Sequence, residues 1–260
     1  MSSTSLPTIV LVPGACGKPD GFDPIIPYPR EAGFTTHPGP YPSCDPVDPP
    51  AATCENDILS LRNNVLLPLL ERKRHIIILA HSYGGVVAGD AVKDLAKVTR
   101  STEGYAAGIV GLIYIIGNIV LEGETLVHAV GGTYPSYIKK DKPYKGVAII
   151  EPAMDILYND CDPARESELA KRMNPPHAFM AFDTPATAPG WADKGYTGKR
   201  AYIRALKDRC NPKPLQDIWL EKSKVQWDVI DFDTGHMPFV SQPKALAATI
   251  VRLSKSFVTS

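Results

Sequence analysis

Three side chains that could together activate a nucleophile stand far apart in the chain: Ser82, Asp208 and His236. A serine hydroxyl attacks a carbonyl only weakly unless an imidazole takes its proton, and that imidazole needs a carboxylate to fix its tautomer. Each of the three follows a run of residues typical of a buried strand. Because the C-terminal ends of parallel strands share one edge of a sheet, we predict that the three side chains converge there.

The residues around Ser82 give the most specific of these signals. The run 75–79 predicts a strand buried on both faces, and a segment rich in small residues follows Ser82 at once. A strand that turns into a helix within about four residues lifts the turn serine clear of the sheet. Ala80 and Gly84 complete a small-x-Ser-x-Gly pattern, with alanine in place of the first glycine. An ordinary helix-capping serine would fit the same local pattern, so the acid and the base decide between the two interpretations.

Asp208 is the predicted partner of His236 because the competing acids are poorly placed. Asp231 and Asp233 lie too close to His236 along the chain to reach its far nitrogen comfortably. Of the other candidates, Asp193 lies in an inserted segment, and Asp217 lies inside a predicted helix.

A glycine-containing loop, residues 13–17, follows the first predicted strand. Backbone N–H groups of such a loop can point into the crevice above a parallel sheet. In acyl transfer, one of them and the N–H of the residue after the nucleophile would stabilise the developing oxyanion. The predicted donors are Ala15 and Tyr83. A plain strand-to-helix turn is the alternative interpretation of the loop.

The order of elements along the chain predicts an α/β fold with a mostly parallel sheet of about six strands, flanked by helices. A helix is expected to begin after Thr53 as N-cap and to kink at Pro68, with Asp57 as a first-turn acid that has no catalytic role. In the helix after Ser82, Asp90 is expected on the solvent side. The predicted strands are 8–12, 34–37, 75–79, 109–116, 200–206 and 225–232, and the predicted helices lie near 21–32, after residue 53, and at 86–98, 212–222 and 242–257.

Residues 118–198 do not continue this alternation of strands and helices. They are interpreted as an inserted lid made of short helices, one of them at 166–173. The α/β core would then consist of residues 1–117 and 199–260. The apolar residues of the insertion are expected to line a substrate pocket in part. His128 and His177 lie in the insertion, and each is interpreted as a structural polar group rather than as a base.

Composition describes an ordinary globular protein of 260 residues, 44% hydrophobic and 22% charged, with 28 basic and 28 acidic residues. Zero net charge favours neither nucleic acid nor an anionic membrane as partner, and no apolar stretch reaches the length of a membrane span. The five cysteines show no C-x-x-C spacing, so we expect free thiols in a reducing cytoplasm, no metal and no cofactor; a Cys44–Cys54 bridge remains open. A monomer or homodimer is expected.

The sequence resembles the α/β-hydrolase superfamily, and within it the branch of plant methylesterases and hydroxynitrile lyases with their microbial relatives. The resemblance covers nearly the whole chain and implies the roles of nucleophile, acid and base given above. One departure is Pro13, where the branch usually has histidine. The matching segments are 10–16 for the oxyanion loop, 80–85 for the nucleophile, 202–203 with Asp208 for the acid strand, and 235–238 with 241–243 for the base loop.

The same resemblance helps to choose the reaction. Hydroxynitrile lyases of this branch carry a threonine in the oxyanion loop and a lysine just after the catalytic histidine, whereas this chain has Gly14 and Met237 there. Gly14 and Met237 are the residue types of the esterases, and these two, with Cys16 beside the oxyanion loop, are the candidate pocket residues.

The resulting first hypothesis is a serine esterase or lactonase that acts on a small, largely apolar ester or lactone through an acyl-enzyme. A second is a lyase or cyclase of specialised metabolism that uses the same three residues for proton transfer on a polyketide-like substrate. A third is a non-catalytic ligand receptor.

Overall fold

The computed structural model describes residues 6–170 and 175–259, and a six-stranded parallel sheet forms its centre. Its strands are β1 Thr8–Val12, β2 Thr35–Pro38, β3 Ile76–His81, β4 Ile109–Ile115, β8 Arg200–Ala205 and β9 Asp228–Phe232. They lie in the order β2-β1-β3-β4-β8-β9, so the sheet predicted from the sequence is confirmed.

The centre of the sheet is buried on both faces, because β1, β3 and β4 consist almost entirely of apolar residues. Side chains alternate between the faces of a strand, and two hydrophobic clusters result. Val10, Ile78 and Leu112 belong to one cluster, while Ile9 and Ile77 belong to the other. This two-sided burial explains why the strands appear in the sequence as continuous apolar runs rather than as alternating ones.

Helices and turns cover the two faces. Short 3₁₀ helices occur at Pro19–Phe22, Pro49–Ala51, Pro163–Arg165, Gly190–Ala192 and Lys194–Tyr196. The α-helices are α1 Pro27–Glu31, α2 Cys54–Leu61, α3 Leu67–Glu71, α4 Gly84–Ala91, α5 Lys97–Thr102, α6 Leu126–Ala129, α7 Ala153–Ile156, α8 Glu166–Ala170, α9 Met180–Asp183, α10 Lys213–Ser223, α11 Pro238–Ser241 and α12 Pro243–Thr259. Within the described residues, no helix is both long enough and apolar enough to cross a bilayer.

The helix that begins after Thr53 is capped as predicted, since Thr53 Oγ1 accepts a hydrogen bond from Asn56 N. Between α2 and α3 the chain forms a π-helical segment, Arg62–Leu66. Pro68 is the second residue of α3, and it lacks an N–H and crowds the carbonyl four residues earlier. The wider turn accommodates the proline without ending the helix.

The helix after Ser82 is shorter than predicted, and the expectation of a helix over 86–98 was wrong. It ends at Ala91, and Asp94 has a left-handed backbone with φ of 61°. Asp90 is buried rather than solvent-facing, and its Oδ2 accepts hydrogen bonds from Thr187 N at 2.6 Å and Thr187 Oγ1 at 3.0 Å. A segment of the insertion therefore packs where solvent was expected, and its contacts override the local helical pattern.

The insertion between β4 and β8 contains the expected short helices and also a three-stranded antiparallel sheet that the sequence analysis did not predict. Its strands are too short, at two to four residues, to show a clear alternation. The predicted helix 166–173 is present as α8 up to Ala170, and its last three positions lie outside the described residues. The strands of this small sheet are β5 Ile138–Lys140, β6 Val147–Ile150 and β7 His177–Ala178.

The close approach of β4 to the last helix gives a first testable prediction. A Cβ at Gly111 would lie 2.0 Å from the ring of Phe257, so Gly111→Ala is expected to lower the free energy of unfolding by about 1–3 kcal/mol. Urea unfolding of Gly111→Ala, Phe257→Ala and the double variant measures the effect. Because truncation of Phe257 makes room for the new methyl group, the double variant should lose clearly less stability than the sum of the single ones. Additive losses would contradict this packing.

Candidate active site

Ser82 occupies a strained turn between β3 and α4. Its φ is 49°, a left-handed conformation that non-glycine residues rarely adopt. Two bonds to its carbonyl hold the turn, from Gly85 N at 2.8 Å and Asn118 N at 2.9 Å. A Cβ at Gly84 would lie 2.3 Å from the carbonyl oxygen of Pro13, so only glycine permits the helix to approach the first strand this closely. The backbone therefore has the geometry expected for a nucleophile that is lifted clear of the sheet at the strand end.

His236 and Asp208 form a buried pair at the same edge of the sheet. His236 Nδ1 lies 2.7 Å from Asp208 Oδ2, and Asp208 Oδ1 accepts hydrogen bonds from Cys210 N at 2.7 Å and Asn211 N at 2.9 Å. An ionised carboxylate only accepts, so Nδ1 carries the proton and Nε2 of the neutral ring has a free lone pair. His236 and Ser82 line the same cavity. The arrangement suits a general base that acts on the Ser82 hydroxyl.

The other acids considered from the sequence have different partners. Arg204 binds Asp231 in a bidentate pair, with N···O distances of 2.7 and 3.0 Å, and also contacts Asp217. Lys207 Nζ lies 2.7 Å from Asp233 Oδ2. In the insertion, Asp193 Oδ2 accepts a hydrogen bond from Asp94 N.

His81 supports the base from behind, a contact that the sequence analysis did not predict. Its Nε2 donates to the carbonyl oxygen of His236 at 2.9 Å, and the two rings meet edge to face with centroids 4.7 Å apart. Burial, and then the neighbouring His236, lower the pKa of His81 well below its usual value, so the ring is neutral. The sequence signal for this role is that His81 directly precedes the predicted nucleophile.

The backbone fixes the direction of both predicted oxyanion donors. The hydroxyl of Tyr41 hydrogen-bonds to the carbonyl oxygens of Pro13 at 2.8 Å and Gly14 at 2.9 Å. In a trans peptide the N–H points opposite to the C=O, so Ala15 N–H is directed away from Tyr41. The Ser82 carbonyl is held in the same manner, which directs Tyr83 N–H away from it. Within residues 6–170 and 175–259, neither N–H donates to a protein acceptor.

A largely apolar cavity opens above these groups, with about 630 Å³ of space that is partly open to solvent. The insertion supplies most of its wall. Two amides, Asn118 and Asn211, are the polar exceptions; they stand just beyond the ends of β4 and β8. No protein group in the described part of the chain hydrogen-bonds to either side-chain amide. The apolar wall consists of Leu126, Val127, Val130, Tyr134, Tyr137, Ile138, Ala148, Ile149, Ile150 and Phe182, with Ala15 and Cys16 beside Ser82.

The candidate pocket residues divide between two cavities. Cys16 lines the cavity of Ser82, but Gly14 and Met237 line a second cavity of about 700 Å³ on the other side of the oxyanion loop, which Cys16 also borders. Burial raises the pKa of the thiols of Cys16 and Cys210, so both are protonated at neutral pH. The five cysteines, including Cys44 and Cys54, are free thiols. Among the described residues, no cluster of His, Cys, Asp or Glu could hold a metal ion.

Gly14 gives a second prediction. A Cβ at this position would lie 2.7 Å from His81 Nδ1 and 2.9 Å from Ser82 Cβ, so any side chain would displace the nucleophile or the oxyanion loop. Gly14→Ala is expected to lower kcat on p-nitrophenyl acetate at least about 10-fold, since displacements near 1 Å cost about 100-fold. Gly21→Ala is the matched control, because a Cβ there has ordinary contacts only. Unchanged kcat in the Gly14 variant would contradict the close packing.

Comparison with known proteins agrees with this fold. The alpha/beta hydrolase nvfD of Aspergillus novofumigatus (strain IBT 16806) is 23% identical over 246 residues, which cover 94% of this chain and 95% of that protein. A pyrethroid hydrolase from Sphingobium faniae JZ-2 superposes with a TM-score of 0.74 at 19% identity, covering 96% of this chain and 98% of the other. The Arabidopsis methylesterase MES16 superposes with a TM-score of 0.67 at 20% identity, and the match covers 96% of this chain and 100% of the other. Residues 9–249 match the alpha/beta hydrolase family, and the chain belongs to that family.

Proposed function

We propose that this protein is a serine carboxylesterase or lactonase that acts on a small, largely apolar ester or lactone. The observation that carries the proposal is the pairing of His236 Nδ1 with Asp208 at 2.7 Å, while His236 and Ser82 line one apolar cavity. Such a cavity would bind the apolar part of a substrate and would place its carbonyl beside the serine.

The reaction follows from these positions. His236 Nε2 takes the proton of the Ser82 hydroxyl while Oγ attacks the carbonyl carbon, and Ala15 N–H and Tyr83 N–H bind the resulting oxyanion. The tetrahedral intermediate collapses, His236 returns the proton to the departing alkoxide, and an acyl-enzyme remains on Ser82. A water molecule then repeats the sequence and releases the acid. Asp208 keeps the ring in the tautomer that both halves need.

Two features support hydrolysis over cyanohydrin cleavage. Position 14 has no room for a side chain such as the threonine of the lyases, and Met237 supplies no cation beside the base. The structural relatives named as a pyrethroid hydrolase and a methylesterase also point to ester substrates. In the cavity, Asn118 and Asn211 would bind a polar group of the substrate, because their buried side-chain amides have no hydrogen-bond partner among residues 6–170 and 175–259.

Fluorophosphonate labelling with intact-mass readout and peptide mapping tests the proposal. One label per chain, located on Ser82, is expected. A well-folded protein that takes up no label would contradict an activated serine, and turnover of a polyketide-like substrate or tight ligand binding without turnover would then favour the lyase, cyclase or receptor hypotheses. The label should not be found on the protonated thiols of Cys16 or Cys210.

A further inference from the structure

A second buried polar cluster lies behind the proposed oxyanion donors, and it is formed by Asp57, Ser43 and His177. All three residues are fully buried. We propose that these residues are a positioning relay that holds the two backbone segments of the proposed oxyanion donors, one at Ala15 and one at Tyr83. Through this relay His177, a residue of the insertion, affects the activation free energy of the chemical step. The proposal rests on the hydrolytic function argued above.

The hydrogen bonds of the relay have one consistent direction. Ser43 Oγ lies 2.5 Å from Asp57 Oδ2 and donates to it, because the ionised carboxylate only accepts. Ser43 Oγ therefore accepts from His177 Nε2, 3.1 Å away, and this fixes the tautomer of the ring. His177 Nδ1 is then an acceptor and binds Cys16 N–H at 3.4 Å. The relay thus ends on the backbone of the oxyanion loop, one residue after Ala15.

The Asp57 carboxylate also holds the segment of the second proposed donor, Tyr83. The hydroxyl of Tyr83 donates to Asp57 Oδ2 at 2.8 Å, and Ser43 N donates to Oδ1 at 2.9 Å. Tyr83 directly follows Ser82, and its own N–H is the second proposed donor. One buried anion is therefore linked through side chains to both segments that must bind the oxyanion. Electrostatic stabilisation depends on donors that are already aimed before charge develops, which gives this link a kinetic consequence.

The relay counteracts local backbone strain. Cys16 has φ of 55° and Ser82 has φ of 49°, so each donor lies next to a residue in the left-handed region. Such conformations cost about 1–3 kcal/mol and persist only where surrounding contacts hold them. The bond from His177 to Cys16 N–H supplies one of those contacts. It also occupies the Cys16 N–H, which leaves the neighbouring Ala15 N–H for the substrate.

Burial is consistent with these protonation states. Desolvation raises the pKa of Asp57 to about 6, against the opposing effect of the bonds from Ser43 and Tyr83, so the group is mostly ionised at neutral pH. Desolvation lowers the pKa of His177 to about 3, so its ring is neutral. The ring is held between strands, because β7 pairs with β6 and bridges to Cys44, and it stacks on Phe182 with centroids 4.7 Å apart.

Two substitutions at His177 separate the relay from simple packing. His177→Phe keeps an aromatic ring on Phe182 but removes both hydrogen bonds. His177→Asn keeps an oxygen near the position of Nδ1, where it can still accept from Cys16 N–H. Asp90→Asn is the matched control, because Asp90 is also a buried carboxylate but does not line the cavity. For each variant, kcat and KM on p-nitrophenyl acetate, melting temperature and affinity for a trifluoromethyl ketone are measured.

His177→Phe is expected to lower kcat about 10- to 100-fold with KM changed less than about 3-fold, because the donors are displaced but not removed; loss of a donor costs about 10²–10³. Affinity for the trifluoromethyl ketone should fall in parallel, and His177→Asn should recover part of both. Asp90→Asn should keep kcat within about 2-fold. Should the Phe variant fail to fold, Ser43→Ala breaks the same relay and is expected to lower kcat in the same sense.

A folded His177→Phe variant with kcat near that of the wild type overturns the relay, while fluorophosphonate labelling of Ser82 in the wild type leaves the proposed function standing. The relay is also overturned if kcat falls equally in His177→Phe and His177→Asn and the loss follows only the fall in melting temperature. Such a result would indicate that His177 acts through packing alone. A wild type that takes up no label overturns the proposed function, and the relay with it.

Discussion

Ser82→Ala is expected to lower kcat on p-nitrophenyl acetate by about 10⁴- to 10⁶-fold and to abolish fluorophosphonate labelling. Removal of the hydroxyl removes the atom that is proposed to form the acyl-enzyme. Apolar binding and the Ala15 and Tyr83 donors persist, so turnover above the rate in water should remain and KM should change little. Steady-state kinetics on purified, folded protein measure the effect, and the strained Ser82 backbone remains in place because alanine has the same Cβ.

His236→Ala is the partner experiment, because a nucleophile and its base act as one unit. It should cost nearly as much as Ser82→Ala, and the double variant should be no worse than either single one. His128→Ala is the control, since His128 is an exposed histidine of the insertion. If turnover survives Ser82→Ala but is lost in His236→Ala, the esterase proposal is wrong and the residues perform proton transfer in a lyase or cyclase.

Most of the scaffold could be predicted from sequence because a parallel sheet buried on both faces leaves continuous apolar runs. The first strand was predicted at the observed residues Thr8–Val12, and β4 and β8 to within one residue at their ends. Residues that follow such strands must lie at one edge of the sheet, which is why the sequence alone predicts that Ser82, Asp208 and His236 lie close together. The family match then agreed with the resemblance stated from the same motifs.

The parts that sequence reasoning missed depend on contacts between distant segments. Asp57 was interpreted as a helix-dipole acid in the first turn of α2, but the structure buries it against Ser43 and Tyr83. Nothing local distinguishes a first-turn acid that faces solvent from one that faces inward. Likewise, the burial of Asp90 depends on Thr187, 97 residues away. A strand as short as β7 leaves no periodicity, so the inward position of His177 could not be inferred from its neighbours.

Asp208→Asn is expected to lower kcat/KM about 10⁴-fold while the fold is retained, an effect second only to loss of the nucleophile or base. Asp208 Oδ1 accepts two backbone N–H groups, from Cys210 and Asn211. An asparagine would keep its oxygen there and turn its NH₂ group toward His236 Nδ1. Two donors cannot face each other, so the ring would move its proton to Nε2 and would lose the lone pair that the Ser82 hydroxyl needs.

The tautomer can be measured directly, because the ¹⁵N chemical shifts of the His236 ring distinguish a protonated Nδ1 from a protonated Nε2. Asp233→Asn is the matched control, since Asp233 lies in the same loop region but pairs with the exposed Lys207, and it should leave kcat/KM within about 2-fold. A variant at Asp208 that retains kcat/KM within about 10-fold, or a ring that keeps its proton on Nδ1, would show that this carboxylate does not set the base. The acid would then have to be one of the carboxylates that have other partners in this structure.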